Sequence, residues 1–88
     1  MKENASLPGY QPKEGLVPDA KTAIIIALAV WEPVYGKANV ASEGPYGAVL
    51  RGSHWTVSGT LRKGSSGGVA TAVIDKKNGR IIKIYHTK

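Results

Sequence analysis

Two histidines, His54 and His86, are the only imidazoles in the chain, and there is no cysteine. Disulfides, thiolate metal sites and a cysteine nucleophile are thereby excluded. Nucleophilic catalysis needs a nucleophile, a base and an orienting group in mutual reach. Ser53 and His54 are adjacent, but neighbours on a strand point to opposite faces. His54 with Asp75 or His86 would have to meet across a sheet, and no spacing specifies that meeting. A metal site from His54, His86 and Asp75 falls short of the four ligands that structural zinc usually takes. Paired-carboxylate chemistry lacks its second member, because Asp75 is the only acid beyond Glu43. The Gly64-Ser65-Ser66-Gly67-Gly68 stretch lacks the Gly-Lys-Ser/Thr ending of a phosphate-binding loop and reads as a hairpin linker. These residues point to a binding module rather than an enzyme, with no metal and no cofactor.

Charge is the strongest functional signal. The 88-residue chain carries a formal +6. Residues 1–44 hold four lysines against five carboxylates, a net −1. Residues 45–88 hold eight basic residues against Asp75 alone, a net +7. Such asymmetry suits an anionic partner: an acidic protein surface, nucleic acid or lipid head groups. The bland alternative is that lysines at hairpin turns keep sheet edges soluble. Tyr46, Trp55 and Tyr85 could stack on bases, but no RNA-binding signature accompanies them and Trp55 reads as core.

One domain is all that 88 residues allow. The longest apolar run, Ala23 to Trp31, is far short of the roughly 18 residues a membrane span needs. Residues 1–16 read as an extended arm and residues 17–88 as a single α+β domain. In the arm, Pro8, Gly9, Pro12 and Gly15 recur without an apolar period. Residues 1–8 are expected to be mobile and residues 9–18 to lie extended on the core. Asp19 is a good N-cap for a helix over about 19–35. In that helix Ala20, Ala23, Ile24, Ala27, Leu28 and Trp31 share one face. Ile25, Ile26, Ala29 and Val30 leave the helix apolar nearly all round, so a second side also needs cover. Pro33 should kink or end it, and Gly36 can terminate a last turn.

The remainder reads as a four-stranded antiparallel meander. The strands are Tyr46 to Arg51, His54 to Leu61, Gly68 to Asp75 and Arg80 to His86. Gly52-Ser53 and Asn78-Gly79 are tight-turn signals. Alternation puts Trp55, Val57, Leu61, Ala70, Ala72, Ile74, Ile82 and Ile84 against the helix. The opposite face shows His54, Thr56, Ser58, Thr60, Val69, Thr71, Val73, Ile81, Lys83 and Tyr85. Antiparallel sheets can leave one side free, so this mixed basic and aromatic face is a plausible binding surface. The candidate partner-binding residues are Tyr46, Arg51, His54, Arg62, Lys63, Lys76, Lys77, Lys83 and Tyr85. Tyr46, Lys83 and Tyr85 would sit near the centre and the turn lysines at the rim.

An ordered set of motifs then brings a family into view. The set is Val17-Pro18-Asp19, Ala29-Val30-Trp31-Glu32-Pro33-Val34-Tyr35-Gly36, Pro45-Tyr46, Trp55-Thr56-Val57-Ser58-Gly59-Thr60-Leu61, Gly67-Gly68-Val69-Ala70 and Ile74-Asp75-Lys76-Lys77-Asn78-Gly79 with Ile82 and His86. Over residues 17–88 the chain resembles the small bacterial NTF2-fold immunity proteins of polymorphic toxin systems. The resemblance implies a helix packed on a curved antiparallel sheet, a shortened NTF2/cystatin-like unit. It also implies a non-catalytic protein that binds and neutralises a cognate toxin. The basic sheet side leads us to expect an acidic surface on that toxin. A homodimer through the second apolar helix face, at Ile26 and Val30, is a further expectation, and no membrane partner is expected. With no apolar leader in Met1 to Ser6, the cytoplasm is the expected location, and the periplasm the alternative. A nucleic-acid-binding module and an inhibitor-like periplasmic domain are the competing readings.

Overall fold

The structure is a computed structural model that describes residues 9–10, 12–61 and 68–87. Residues 1–8 of the arm, and Arg62 and Lys63 with the rest of the 62–67 loop, lie outside the described residues.

Helix α1 spans Ala20–Tyr35. Asp19 caps it from an extended conformation, its carboxylate accepting from the Thr22 amide at 2.8 Å and the Thr22 hydroxyl at 2.6 Å. Those two hydrogen bonds hold the Asp19 carboxyl below its usual pKa. Pro33 lies inside α1 without ending it. Gly36 closes the helix, its amide donating to the Glu32 carbonyl at 2.9 Å with φ at +93°. A short helix absent from the sequence expectation follows, α2 at Lys37–Ser42. Six residues are too few to show an apolar period, and Val40 alone anchors α2 in the core.

Four strands follow: β1 Gly47–Arg51, β2 His54–Ser58, β3 Ala70–Asp75 and β4 Ile81–His86. They form one antiparallel sheet in the order β1-β2-β3-β4. The α+β class, with a helix on a four-stranded meander, is thus as the sequence implies. Helix α1 lies over β1, β2 and β3. Between them the core holds Val17, Ala27, Trp31, Val57, Ala72 and Ile74. Ala23 on the helix and Ala72 on the sheet are fully buried, and side chains this small let the layers approach closely.

Three expectations need correction. β2 ends at Ser58, not Leu61. At Thr60 the chain turns away from β3, its amide donating to the Glu43 carbonyl at 2.8 Å and its hydroxyl to the Pro45 carbonyl at 2.5 Å. Leu61 is left about half exposed instead of facing the helix. The approach to the Glu43 turn is so close that a Cβ at Gly59 would sit 2.9 Å from the Glu43 carbonyl oxygen. Ile81 and Ile82 have exchanged roles. Lys83 pairs with Val73, but Ile81 pairs with Ile74, so Ile82 is one extra residue on β4. This bulge breaks the alternation, packing Ile81 on the core and leaving Ile82 exposed. Finally, the segment before α1 is not extended throughout. A turn closes from the Gly15 amide to the Pro12 carbonyl at 3.0 Å.

That segment is anchored to the β3–β4 turn. Leu16 and Val17 donate to the carbonyls of Lys77 and Lys76 at 2.9 and 3.0 Å. Val17 is buried, and its own carbonyl accepts the indole N–H of Trp55 at 2.8 Å. Trp31 differs: its indole N–H is buried with no hydrogen-bond partner among the described residues.

The two tryptophans should therefore respond differently to truncation. Trp55→Ala should cost about 3–5 kcal/mol, enough to unfold a domain with the usual margin. Trp55→Phe strands the buried Val17 carbonyl, whereas Trp31→Phe removes a donor that is already unpaired. Urea denaturation should rank Trp55→Phe as the more damaging of the two, and the reverse order would refute this account of the core.

Candidate partner-binding surface

The seven candidate residues that the structure describes do not form one patch. On the face away from α1, cross-strand register aligns Val49, Thr56, Val73 and Lys83 in one row. Gly47, Ser58, Thr71 and Tyr85 form a second row, and Arg51, His54 and Asp75 a third. Lys83 and Tyr85 are exposed neighbours, the ammonium lying 5.4 Å from the ring centroid. Val73 and Thr71, between the outer strands, are buried.

Tyr46 is elsewhere. Its ring leans on Trp31 at 5.1 Å between centroids, and its hydroxyl donates to the Val40 carbonyl at 2.5 Å. Burial, with the nearby Glu43, raises the pKa of the phenol. Tyr46 thus joins α1, α2 and β1 on the helix side, and the structure does not bring it together with Lys83 and Tyr85.

Arg51, His54, Lys76 and Lys77 do share one end of the sheet, where the β1–β2 and β3–β4 turns meet. The Lys76 amide donates to the Ser53 carbonyl at 2.9 Å, clasping the two turns. Asp75 is committed to the β3–β4 turn, one carboxylate oxygen accepting from the amides of Lys77 and Asn78 at 2.8 and 3.2 Å. The Lys76 ammonium donates to the Glu14 carbonyl and lies 3.9 Å from its carboxylate. Arg51, Lys77 and Arg80 are exposed and make no ion pair among the described residues.

His54 and His86 cannot cooperate. His54 pairs with Asp75 at one end of β3 and His86 with Ala70 at the other. Among the described residues no group of three or more His, Cys, Asp or Glu side chains is placed to hold a metal ion. His86 instead has a partner the sequence did not disclose. Its Nε2 lies 3.0 Å from Glu43 Oε2, and its ring meets Tyr35 edge-on at 5.5 Å. The other Glu43 oxygen accepts the Ala70 amide at 2.7 Å. Glu43 therefore joins the turn before β1 to the start of β3 and the end of β4. These partners lie 27 and 43 residues away in the chain, so no local spacing could reveal them. The outer side of α1 also departs from expectation. Ile25, Ala29, Pro33 and Val34 are the exposed apolar residues, while Ile26 and Val30 are half-buried, and Ile26 packs on the core.

A family model of NTF2 fold immunity proteins matches residues 22–88, the stretch that holds nearly all of α1 and the whole sheet. The chain belongs to the NTF2 fold immunity protein family. No curated protein and no solved structure matches it. Its role is accordingly that of an immunity protein, whose partner is a cognate toxin.

The Glu43–His86 pair makes stability depend on pH. The hydrogen bond to Glu43 raises the His86 pKa above its ordinary value. The pair's contribution is then fully present below the unfolded histidine pKa, about 6.5, and is lost as pH rises through the higher folded value. Unfolding free energy should fall between pH 5.5 and pH 8.5, and Glu43→Gln should flatten that fall while keeping the bond to Ala70. Denaturant titrations at three pH values read this directly, and an equal slope in both proteins would refute it.

Proposed function

We propose that this immunity protein neutralises its toxin by binding it, without catalysis, and that the face opposite α1 together with its basic end forms the contact. The observation that carries this reading is a sheet face that no other element covers among the described residues. It sets exposed Lys83 and Tyr85 beside small, closely packed Thr71 and Val73, and its end bears Arg51, Lys77 and Arg80. A toxin presenting an acidic surface complements that charge. Complementary charge chiefly accelerates association, while a central aromatic chiefly prolongs the complex. His54 on β2 and His86 on β4 pair with opposite ends of β3, which favours recognition over acid–base chemistry.

The test is co-expression with a candidate toxin drawn from the neighbouring genes, scored by survival, followed by surface plasmon resonance at two salt concentrations. The wild-type chain should protect. Reversing Arg51 and Arg80 to Glu should slow association about tenfold at low salt and weaken its salt dependence, leaving dissociation little changed. Tyr85→Ala should speed dissociation instead. His54→Ala should protect within a few-fold of wild type. Loss of protection by His54→Ala with toxin binding intact would overturn the non-catalytic reading.

A further inference from the structure

We infer that the turn-bearing end of the sheet contains a pocket for a carboxylate side chain of the toxin, an inference that rests on the toxin-binding function proposed above. A cavity of about 270 Å3 opens between the Pro12–Gly15 turn and the two sheet turns. Lys13, Lys76 and Lys77 line it together with Ser53, and Glu14 is the only acid among the described residues of the lining. Three ammonium groups against one carboxylate leave the lining positive. Arg51 and Arg80 at the same end of the sheet reinforce the field.

The pocket is held open before any ligand arrives. Lys76 is only 22% exposed at its side chain and is tied to the Glu14 carbonyl, so its ammonium is fixed at the wall. The Glu14 side chain is 81% exposed and its carboxylate touches Lys76 only at 3.9 Å, so an incoming carboxylate displaces little. The wall itself depends on Gly15. That residue is buried at φ +88°, and a Cβ there would overlap the Lys76 carbonyl. Lys13 and Lys77 have no ion pair, and the Ser53 hydroxyl no hydrogen bond, among the described residues. No described residue claims these two ammonium groups or the hydroxyl, which leaves them to a carboxylate. Hydrogen bonds from charged donors to a carboxylate are the stronger ones.

Size and lining favour a protein side chain over a nucleic acid. The cavity is smaller than the roughly 300–1,000 Å3 of typical small-molecule sites. Among the described residues no aromatic ring lines it, so these offer bases no stacking platform. Glu14 at the mouth repels an extended polyanion more than it does a single acid.

The experiment is an amide NMR titration of the full chain with capped tetraglutamate, with tetraglutamine and an oligothymidylate as comparison ligands. Tetraglutamate should shift the amides of Glu14, Gly15, Ser53 and Lys77, and tetraglutamine should not. The Lys13→Glu/Lys77→Glu double variant, both positions being exposed, should bind the acidic peptide about tenfold more weakly, with Lys37→Glu on α2 unchanged. The same double variant should protect less well against the toxin. Shifts centred on Lys83 and Tyr85, no shifts at all, or full protection by the double variant would overturn the pocket while leaving toxin binding intact. Tighter binding of the oligothymidylate at the same amides would overturn the choice of a protein ligand. A wild-type chain that binds tetraglutamate but fails to protect would overturn the assignment of that carboxylate to a toxin.

Discussion

The hydrogen bond from the Trp55 indole to the Val17 carbonyl is the contact on which the rest of the molecule leans. It joins the start of β2 to the segment that leads into α1, across 38 positions of chain. On its other side Val17 donates to Lys76, so one buried residue ties the helix entrance to the β3–β4 turn. A large aromatic needs a partner for its N–H when buried, and the backbone just before Asp19 supplies it. The entry of α1, the seat of the Pro12–Gly15 turn and the basic end of the sheet are positioned together as a consequence.

Glu43 plays the matching part at the opposite end. Its carboxylate and carbonyl reach Ala70, His86 and Thr60. The β2–β3 connection, the end of β4 and the turn before β1 thereby share a single anchor. Between these two anchors the sheet has one covered and one open face. The covered face is sealed by α1 and by Tyr46 leaning on Trp31. The open face carries exposed Lys83 and Tyr85, and it is the surface proposed above for toxin contact.

The two edges of the sheet also differ. β4 carries a bulge at Ile82 and a lysine at Lys83, both of which discourage edge-to-edge pairing. β1 has neither device, its only charge being Arg51 at the end. The bulge also sets which isoleucine enters the core, so edge protection and core packing are decided by one extra residue.

Much of this was legible in the residues themselves. Asp19 marked the start of α1 because capping is local chemistry, and Gly36 marked its end. The Asn78-Gly79 and Gly52-Ser53 turns and the alternation in His54 to Ser58 fixed a meander, since the strand period is two wherever no bulge intervenes. The charge asymmetry named the basic half before any fold was known, and the ordered motifs pointed to the immunity family. What the tertiary structure alone decided lies where distant residues compete for one partner. The bulge at Ile82 depends on pairing with β3, not on the spacing within Ile81-Ile82-Lys83. Tyr46 reads as a surface aromatic until Trp31 and the Val40 carbonyl are brought beside it. Glu43 and His86 have no local relationship at all, and only the packed sheet puts them 3.0 Å apart. The turn at Pro12 to Gly15 gains its role only when it meets Lys76 and Ser53. Short-range rules reach capping, turns and alternation, because a few bonds settle those. They do not reach contacts whose closure is set by the fold as a whole.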